Sequence, residues 1–125
     1  MILDTTAVSA FSEKQAALLK LLLPERNLHL PIIVIGEYRF GLLGSRHASA
    51  LEAWLNELIT TIDILFVDLE TARHYGLILH ELKERGRMIP TNDVWIAAFA
   101  LQHQLPIVSR DTHFDVVDGV RRISW

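Results

Sequence analysis

Two rhythms of apolar positions alternate along this chain. Short, nearly continuous apolar runs read as strands covered on both faces, and longer stretches with apolar residues three and four apart read as helices. Met1–Asp4 predicts a strand that ends in an acid, and Thr5-Thr6 suits a helix cap directly after it. Glu13–Leu23 predicts a helix through Ala16, Ala17, Leu19, Leu22 and Leu23, stopped by Pro24. Asn27–Leu30 is a second strand. Ile32–Leu43 predicts a helix because Pro31 suits a first turn, although Ile32-Ile33-Val34-Ile35 favours strand. His47–Thr60 is a helix with Ala48, Leu51, Leu55 and Leu58 on one face, and Asp63–Val67 a third strand. Leu69–Arg85 is a helix with a stripe of Leu69, Ala72, Gly76, Leu79 and Leu82, ended by Gly86. The helix 92–104 is apolar almost all round, the mark of burial, and the strand 106–109 comes after it. A turn or short helix around His113–Val117 and an edge strand Arg121–Ser124 complete the chain. Strands alternating with helices predict an α/β fold, with a mainly parallel sheet in a single domain over residues 1–125.

That pattern leaves four acids in unusual places. Asp4 and Asp111 stand at the ends of buried strands, Asp93 opens the buried helix, and Glu37 lies within the 32–43 helix. Each has an ordinary explanation. Asp4 can cap a helix, Asp93 can complement a helix dipole, and Asp111 can form a turn. Glu37 is harder to explain, because Ile33, Val34, Phe40 and Gly41 at helical spacing cannot pair with it. An unpaired carboxylate in apolar surroundings is costly, so its partner must be distant in sequence. Parallel strands all point one way and ligands bind beyond their carboxyl ends. The four acids therefore share one edge as a cluster of hard oxygen donors suited to Mg2+ or Mn2+. A divalent ion held there activates water and neutralises a phosphodiester during in-line displacement.

Composition narrows the rest. The 125 residues contain no cysteine, which removes disulfides, thiolate metal sites and a cysteine nucleophile. The formal charge of −3 does not advertise a polyanion ligand, so a bound cation or a local basic strip must attract one. Lys83, Arg85 and Arg87 form such a strip before Asp93, though cations also suit a helix C-terminus. Half of the residues are hydrophobic and the mean hydropathy is +0.26, so some apolar surface is expected to meet a partner or a second copy. The Leu18–Leu23 run, apolar nearly all round, is the expected seat of such a partner. No apolar run approaches the ~18 residues of a membrane span. Met1 leads directly into a strand, with no room for a signal peptide, and a cytoplasmic location is expected.

Other motifs fall away. His80-Glu81-Leu82-Lys83-Glu84 lacks the second histidine of a zinc protease, and the six histidines show no metal-ligand spacing. Gly41–Arg46 lacks a phosphate-loop lysine, and there is no Gly-x-Ser-x-Gly elbow. Trp54, Trp95 and Trp125 read as packing residues rather than base-stacking platforms.

Four ordered motifs resemble those of PIN-domain nucleases, most closely the VapC-type toxins of toxin–antitoxin pairs. They are Leu3-Asp4-Thr5-Thr6, Gly36-Glu37-Tyr38-Arg39-Phe40-Gly41, Asn92-Asp93-Val94-Trp95-Ile96-Ala97-Ala98 and Ser109-Arg110-Asp111-Thr112-His113-Phe114. The resemblance spans the whole chain, and Asn-Asp followed by Ile-Ala-Ala is its most specific part. It implies a three-layer α/β/α sandwich, Mg2+-dependent RNA cleavage and a cognate antitoxin, and a homodimer is expected beside these from the apolar excess. Asp4, Glu37, Asp93 and Asp111 match the family's acidic cluster, with Asp4, Asp93 and Asp111 as metal ligands. Asp115 matches an acid that some members add. Thr6 stands where the family often has Asn or Ser and can donate a hydroxyl to an acid. Thr6, Arg87, Arg110 and Asp115 are the candidate substrate contacts. The alternatives are a PIN nuclease outside a toxin pair, a Mg2+-binding receiver-like signalling domain, and a catalytically silent interaction module. A receiver needs a lysine at a late strand end, where this chain has Ser109-Arg110-Asp111.

Overall fold

A computed structural model describes residues Met1–Trp125. Five strands, β1 (Ile2–Leu3), β2 (His29–Pro31), β3 (Asp63–Leu65), β4 (Ile107–Val108) and β5 (Arg122–Ile123), form one sheet in the order β3-β2-β1-β4-β5. Every pairing is parallel. Six helices flank it: α1 (Thr5–Ser12), α2 (Ala16–Leu22), α3 (Ile32–Leu42), α4 (Ala48–Ile59), α5 (Leu69–Glu84) and α6 (Thr91–His103). A 3-10 helix, Thr112–Val116, comes after β4. The result is the α/β fold with a parallel sheet that the alternation predicts, in the α/β/α sandwich that the resemblance implies.

The chain lays β1, β2 and β3 outward in one direction, then returns to place β4 on the other side of β1. The strand order therefore reverses between β1 and β4, with Ile2 opposite Ile107 and Leu3 opposite Val108. Such a reversal opens a crevice beyond the carboxyl ends of the two strands, where open α/β sheets bind their ligands. Ile2, Leu3, Ile107 and Val108 are fully buried, as strands covered on both faces require.

The stretch after β1 differs from expectation. The helix expected over Glu13–Leu23 is present as α2, and an additional helix, α1, precedes it, the two separated at Lys14 by a left-handed φ of 56°. Periodicity does not reveal α1, because Thr5-Thr6-Ala7-Val8-Ser9 is short, polar and β-branched, a weak helix former. It forms because the Asp4 carboxylate accepts from the Ala7 N–H and its inner face, Ala7, Val8 and Ala10, is buried. The leucine run also reads differently in three dimensions. Leu18 and Leu22 are core residues, Leu19 and Leu21 are half-buried, and of the leucines only Leu23 stands out, at 80% exposure. That run is mostly spent on this chain's own core and does not offer a continuous outer apolar face.

The remaining helices match the sequence closely. α3 forms despite its β-branched start, since Val34, Ile35, Tyr38 and Leu42 bury one side of it. In α5 the stripe is rotated from expectation. Thr71, Ile78 and Leu82 face inward, whereas Leu69, Ala72 and Gly76 are exposed. The capping box of Asp68 and Thr71 sets that rotation, and Thr71 also donates to Gln102 at 2.6 Å on the packed helix α6. α6 buries Val94, Ile96, Ala97, Ala98, Phe99 and Ala100, as its all-round apolarity predicts. The tryptophans pack: Trp54 meets Phe11 edge-on at 5.6 Å, and Trp95 stacks on Tyr75 at 3.9 Å.

The two leucine environments give a direct test. Leu18→Ala is expected to lower stability by about 2–5 kcal/mol in chemical denaturation, as core truncations do. Leu23→Ala should stay within about 0.5 kcal/mol of the parent.

Candidate metal centre

The crevice between β1 and β4 is closed at its floor by one carboxylate. Asp4 comes directly after β1 and is 3% exposed. Its Oδ1 accepts from Thr6 Oγ1 at 2.7 Å and from the Ala7 N–H at 2.9 Å, and its Oδ2 accepts from the Ser109 hydroxyl. Parallel register explains the last contact. Leu3 lies opposite Val108, so the next residue on each strand, Asp4 and Ser109, emerge side by side. Ser109, fully buried, also accepts from the Asp111 N–H at 2.8 Å. Thr6 Oγ1 accepts from the Arg110 N–H at 3.2 Å. The two strand ends are thus laced together through Asp4.

Around this floor stand the other acids. Glu37, half-buried in the middle of α3, accepts from Thr5 Oγ1 at 2.8 Å. This is the distant partner its apolar helical neighbours could not supply. Arg39 turns away and binds Asn56 and Glu52 on α4. Asp93 lies in the first turn of α6, and Asp111 caps the 3-10 helix by accepting from the His113 N–H at 2.9 Å. An oxygen of each meets His113 Nδ1, at 3.0 Å for Asp93 and 3.1 Å for Asp111, and the three donor atoms lie within 4.8 Å of one another.

The electrostatics bear the mark of crowded carboxylates. Burial holds Asp4 above the usual carboxylate range; hydrogen bonds from Ser109, Ala7 and Thr6 pull it back, and the charge of Asp111 adds to the rise. Burial also raises Asp93. His113 opposes that rise, and the charges of Asp111 and Glu37 add to it. Charge coupling therefore links Asp111 to both Asp4 and Asp93, and Asp93 to Glu37, across four separate chain segments. Their oxygens are hard donors of the kind that hold Mg2+ or Mn2+, and a cation there offsets the mutual repulsion. An open groove of about 680 Å³ adjoins them, lined by Thr5, Ile32, Ile33, Gly36, Glu37, Phe40 and Asn92.

The weaker candidates divide. Thr6 is at the site. Asp115 is instead held by Arg122, whose Nε and Nη2 donate to its two oxygens at 2.8 and 2.9 Å and keep it below the usual range. Arg122 Nη1 donates to the Ser109 carbonyl at 3.1 Å, so this ion pair braces the β4 end from outside. The Arg110 guanidinium lies 4.6 Å over the Trp125 ring. Arg87 is exposed in the loop between α5 and α6, and Arg85 is engaged with Asp118 and the Val116 carbonyl. Sequence reasoning missed Ser109 and His113. Ser109 was visible only through its register with Asp4, and His113 only through the fold, since histidine spacing carries no sign of it.

The sequence profile of the PIN domain matches residues 1–120. The chain belongs to the PIN-domain family. Among relatives of this PIN domain, ribonuclease VapC5 of Mycobacterium tuberculosis is 31% identical over 124 residues, covering 98% of this chain and 90% of its own. Ribonuclease VapC1 of Haemophilus influenzae is 29% identical over 105 residues, covering 83% of this chain and 78% of its own. Solved structures agree with the fold. DNA-bound VapBC of Salmonella typhimurium superposes with a TM-score of 0.90 at 23% identity, covering 99% and 96% of the two chains. VapBC-5 of Mycobacterium tuberculosis, a member of the VapBC family of toxin–antitoxin systems, gives 0.80 at 26% identity, covering 99% and 97%.

The raised carboxyls carry a pH dependence. Both Asp4 and Asp93 bind protons more tightly folded than unfolded, where 3.8 is the ordinary value. Metal-free protein therefore loses stability as pH rises from that value through the raised ones, and the loss is complete above them. Asp93→Asn is expected to raise the metal-free melting temperature at neutral pH. The gain should vanish below the ordinary carboxylate value, which calorimetry across pH will show.

Proposed function

We propose that this PIN domain is a Mg2+-dependent endoribonuclease and the toxin of a toxin–antitoxin pair. The observation that carries the reading is the convergence of Asp4, Glu37, Asp93 and Asp111 on the crevice where the strand order reverses. Its support beyond geometry is the relative VapC5, named a ribonuclease and alike over nearly its whole length.

Asp4, Asp93 and Asp111 are the residues that would hold the ion, Asp4 from a fixed position and the other two from the rim. A divalent ion supplies charge for the phosphate oxygens and a lowered pKa for the attacking water. Glu37, oriented by Thr5 and facing the groove, is placed to accept a proton from that water or to orient it. Ser109 and Thr6 hold Asp4 in one rotamer, which keeps the donor set pre-arranged. Arg87, exposed in the loop that leads to Asp93, is proposed as an outer phosphate contact.

The partners are proposed on the same footing. The solved relatives include VapBC toxin–antitoxin systems, so a cognate antitoxin is the expected inhibitor. A homodimer would cover part of the exposed apolar surface, which includes Phe40, Leu43, Leu69 and Leu77. No helix is long and apolar enough to cross a membrane.

Purified protein is expected to cut RNA with Mg2+ or Mn2+ and to stop in EDTA. Asp93→Asn and Glu37→Gln should each lower single-turnover cleavage by about a hundredfold or more with unchanged circular dichroism. Undiminished cleavage by Asp93→Asn would overturn the reading.

A further inference from the structure

His113 is the one member of the cluster with no role so far. Its Nδ1 lies 3.0 Å from Asp93 Oδ2 and 3.1 Å from Asp111 Oδ1. A six-coordinate ion holds its ligands at about 2.1 Å and near right angles, which separates adjacent donor atoms by about 3 Å. Both nitrogen-to-oxygen separations match that spacing. The ring is aimed from two sides. The His113 N–H is tied to Asp111 Oδ1 at 2.9 Å, and the next residue, Phe114, is fully buried and anchors the 3-10 helix. The imidazole is half-exposed, so its other nitrogen, Nε2, is free to carry the ring proton while Nδ1 presents its lone pair to the acids.

Resting on the nuclease reading, we propose that His113 is a nitrogen ligand of the divalent ion. The centre is then a mixed nitrogen–oxygen set instead of an all-carboxylate one. The consequence is a change in metal preference. Mg2+ favours oxygen donors, whereas imidazole suits first-row transition ions, whose affinity for a given site rises along the series from Mn2+. One imidazole among the carboxylates leaves Mg2+ able to bind and raises the affinity for Mn2+ relative to it. Carboxylates alone would leave it a hard-ion site.

The alternative geometry is a hydrogen bond in which an Nδ1–H donates to the two carboxylates. Mn2+ distinguishes the two by its electron spin, because a directly bound imidazole nitrogen modulates its spin echo and a displaced one does not. Metal-stripped wild type, His113→Ala, His113→Asp and Asp93→Asn are to be titrated with Mn2+. Free Mn2+ is read by its resonance signal, and Mg2+ affinity by competition. Wild type is expected to show histidine nitrogen coupling that disappears in His113→Ala and His113→Asp. His113→Ala should weaken Mn2+ binding by about tenfold or more, and Mg2+ binding by a smaller factor. His113→Asp, which restores an oxygen donor, should recover Mg2+ binding relative to His113→Ala without recovering the nitrogen signal. Mn2+ binding that needs Asp93 but shows no nitrogen coupling overturns the ligand role and leaves the nuclease reading standing. Mn2+ binding indifferent to Asp93→Asn overturns both.

Discussion

The buried Asp4 carboxylate is the contact on which the rest of this structure depends. It ends β1, caps α1 through the Ala7 N–H, and accepts the Ser109 hydroxyl from the end of β4. A buried charge is tolerated only when its oxygens are occupied by donors, and here Thr6, Ala7 and Ser109, from two chain segments, occupy them. The same bonds that satisfy the carboxylate also set the spacing of the two strand ends. Removing Asp4 would therefore loosen the sheet edge and the acid cluster together, since one group serves both.

Around that fixed point the site is arranged against its own electrostatics. Burial raises the proton affinity of Asp4 and Asp93, and the charge of Asp111 adds to both rises, with that of Glu37 adding to the second. A protein selected for stability alone would not keep them so close. The surrounding hydroxyls lessen the cost without removing it: Thr5 serves Glu37, Thr6 and Ser109 serve Asp4. Cation binding turns the remaining repulsion into affinity, which is why metal-free stability and metal affinity are expected to oppose each other here.

The scaffold supplies rigidity where the chemistry needs it. α6 is buried on nearly every side, so Asp93 at its first turn has little freedom to move. Asp111 and His113 are held by the 3-10 helix, whose Phe114 is fully buried, and by the Arg122 brace behind Ser109. The side toward solvent is different. Phe40 is 80% exposed at the groove, and Leu43 and Leu69 stand out elsewhere. The apolar excess of the composition is thus divided between a dense core and separate exposed patches.

The sequence by itself determined the α/β class, the parallel sheet, the four acids, and every strand and helix except α1 nearly in place. Those features come from burial on both faces of short strands and from periodic burial along helices, both of which write themselves into the apolar pattern. α1 escaped because a weak helix former is held by a cap and by tertiary burial, and α2 starts three residues late because Lys14 takes a left-handed φ that its residue type does not announce. The partner of Glu37, the seat of Ser109 and the approach of His113 to two acids were decided only in three dimensions. Each is a contact between segments far apart in sequence: 32 positions for Thr5 to Glu37, 105 for Ser109 to Asp4, 20 for His113 to Asp93. Local periodicity carries no trace of such pairs. They arise from strand register and from the reversal of strand order, which bring the chain's two ends to one crevice.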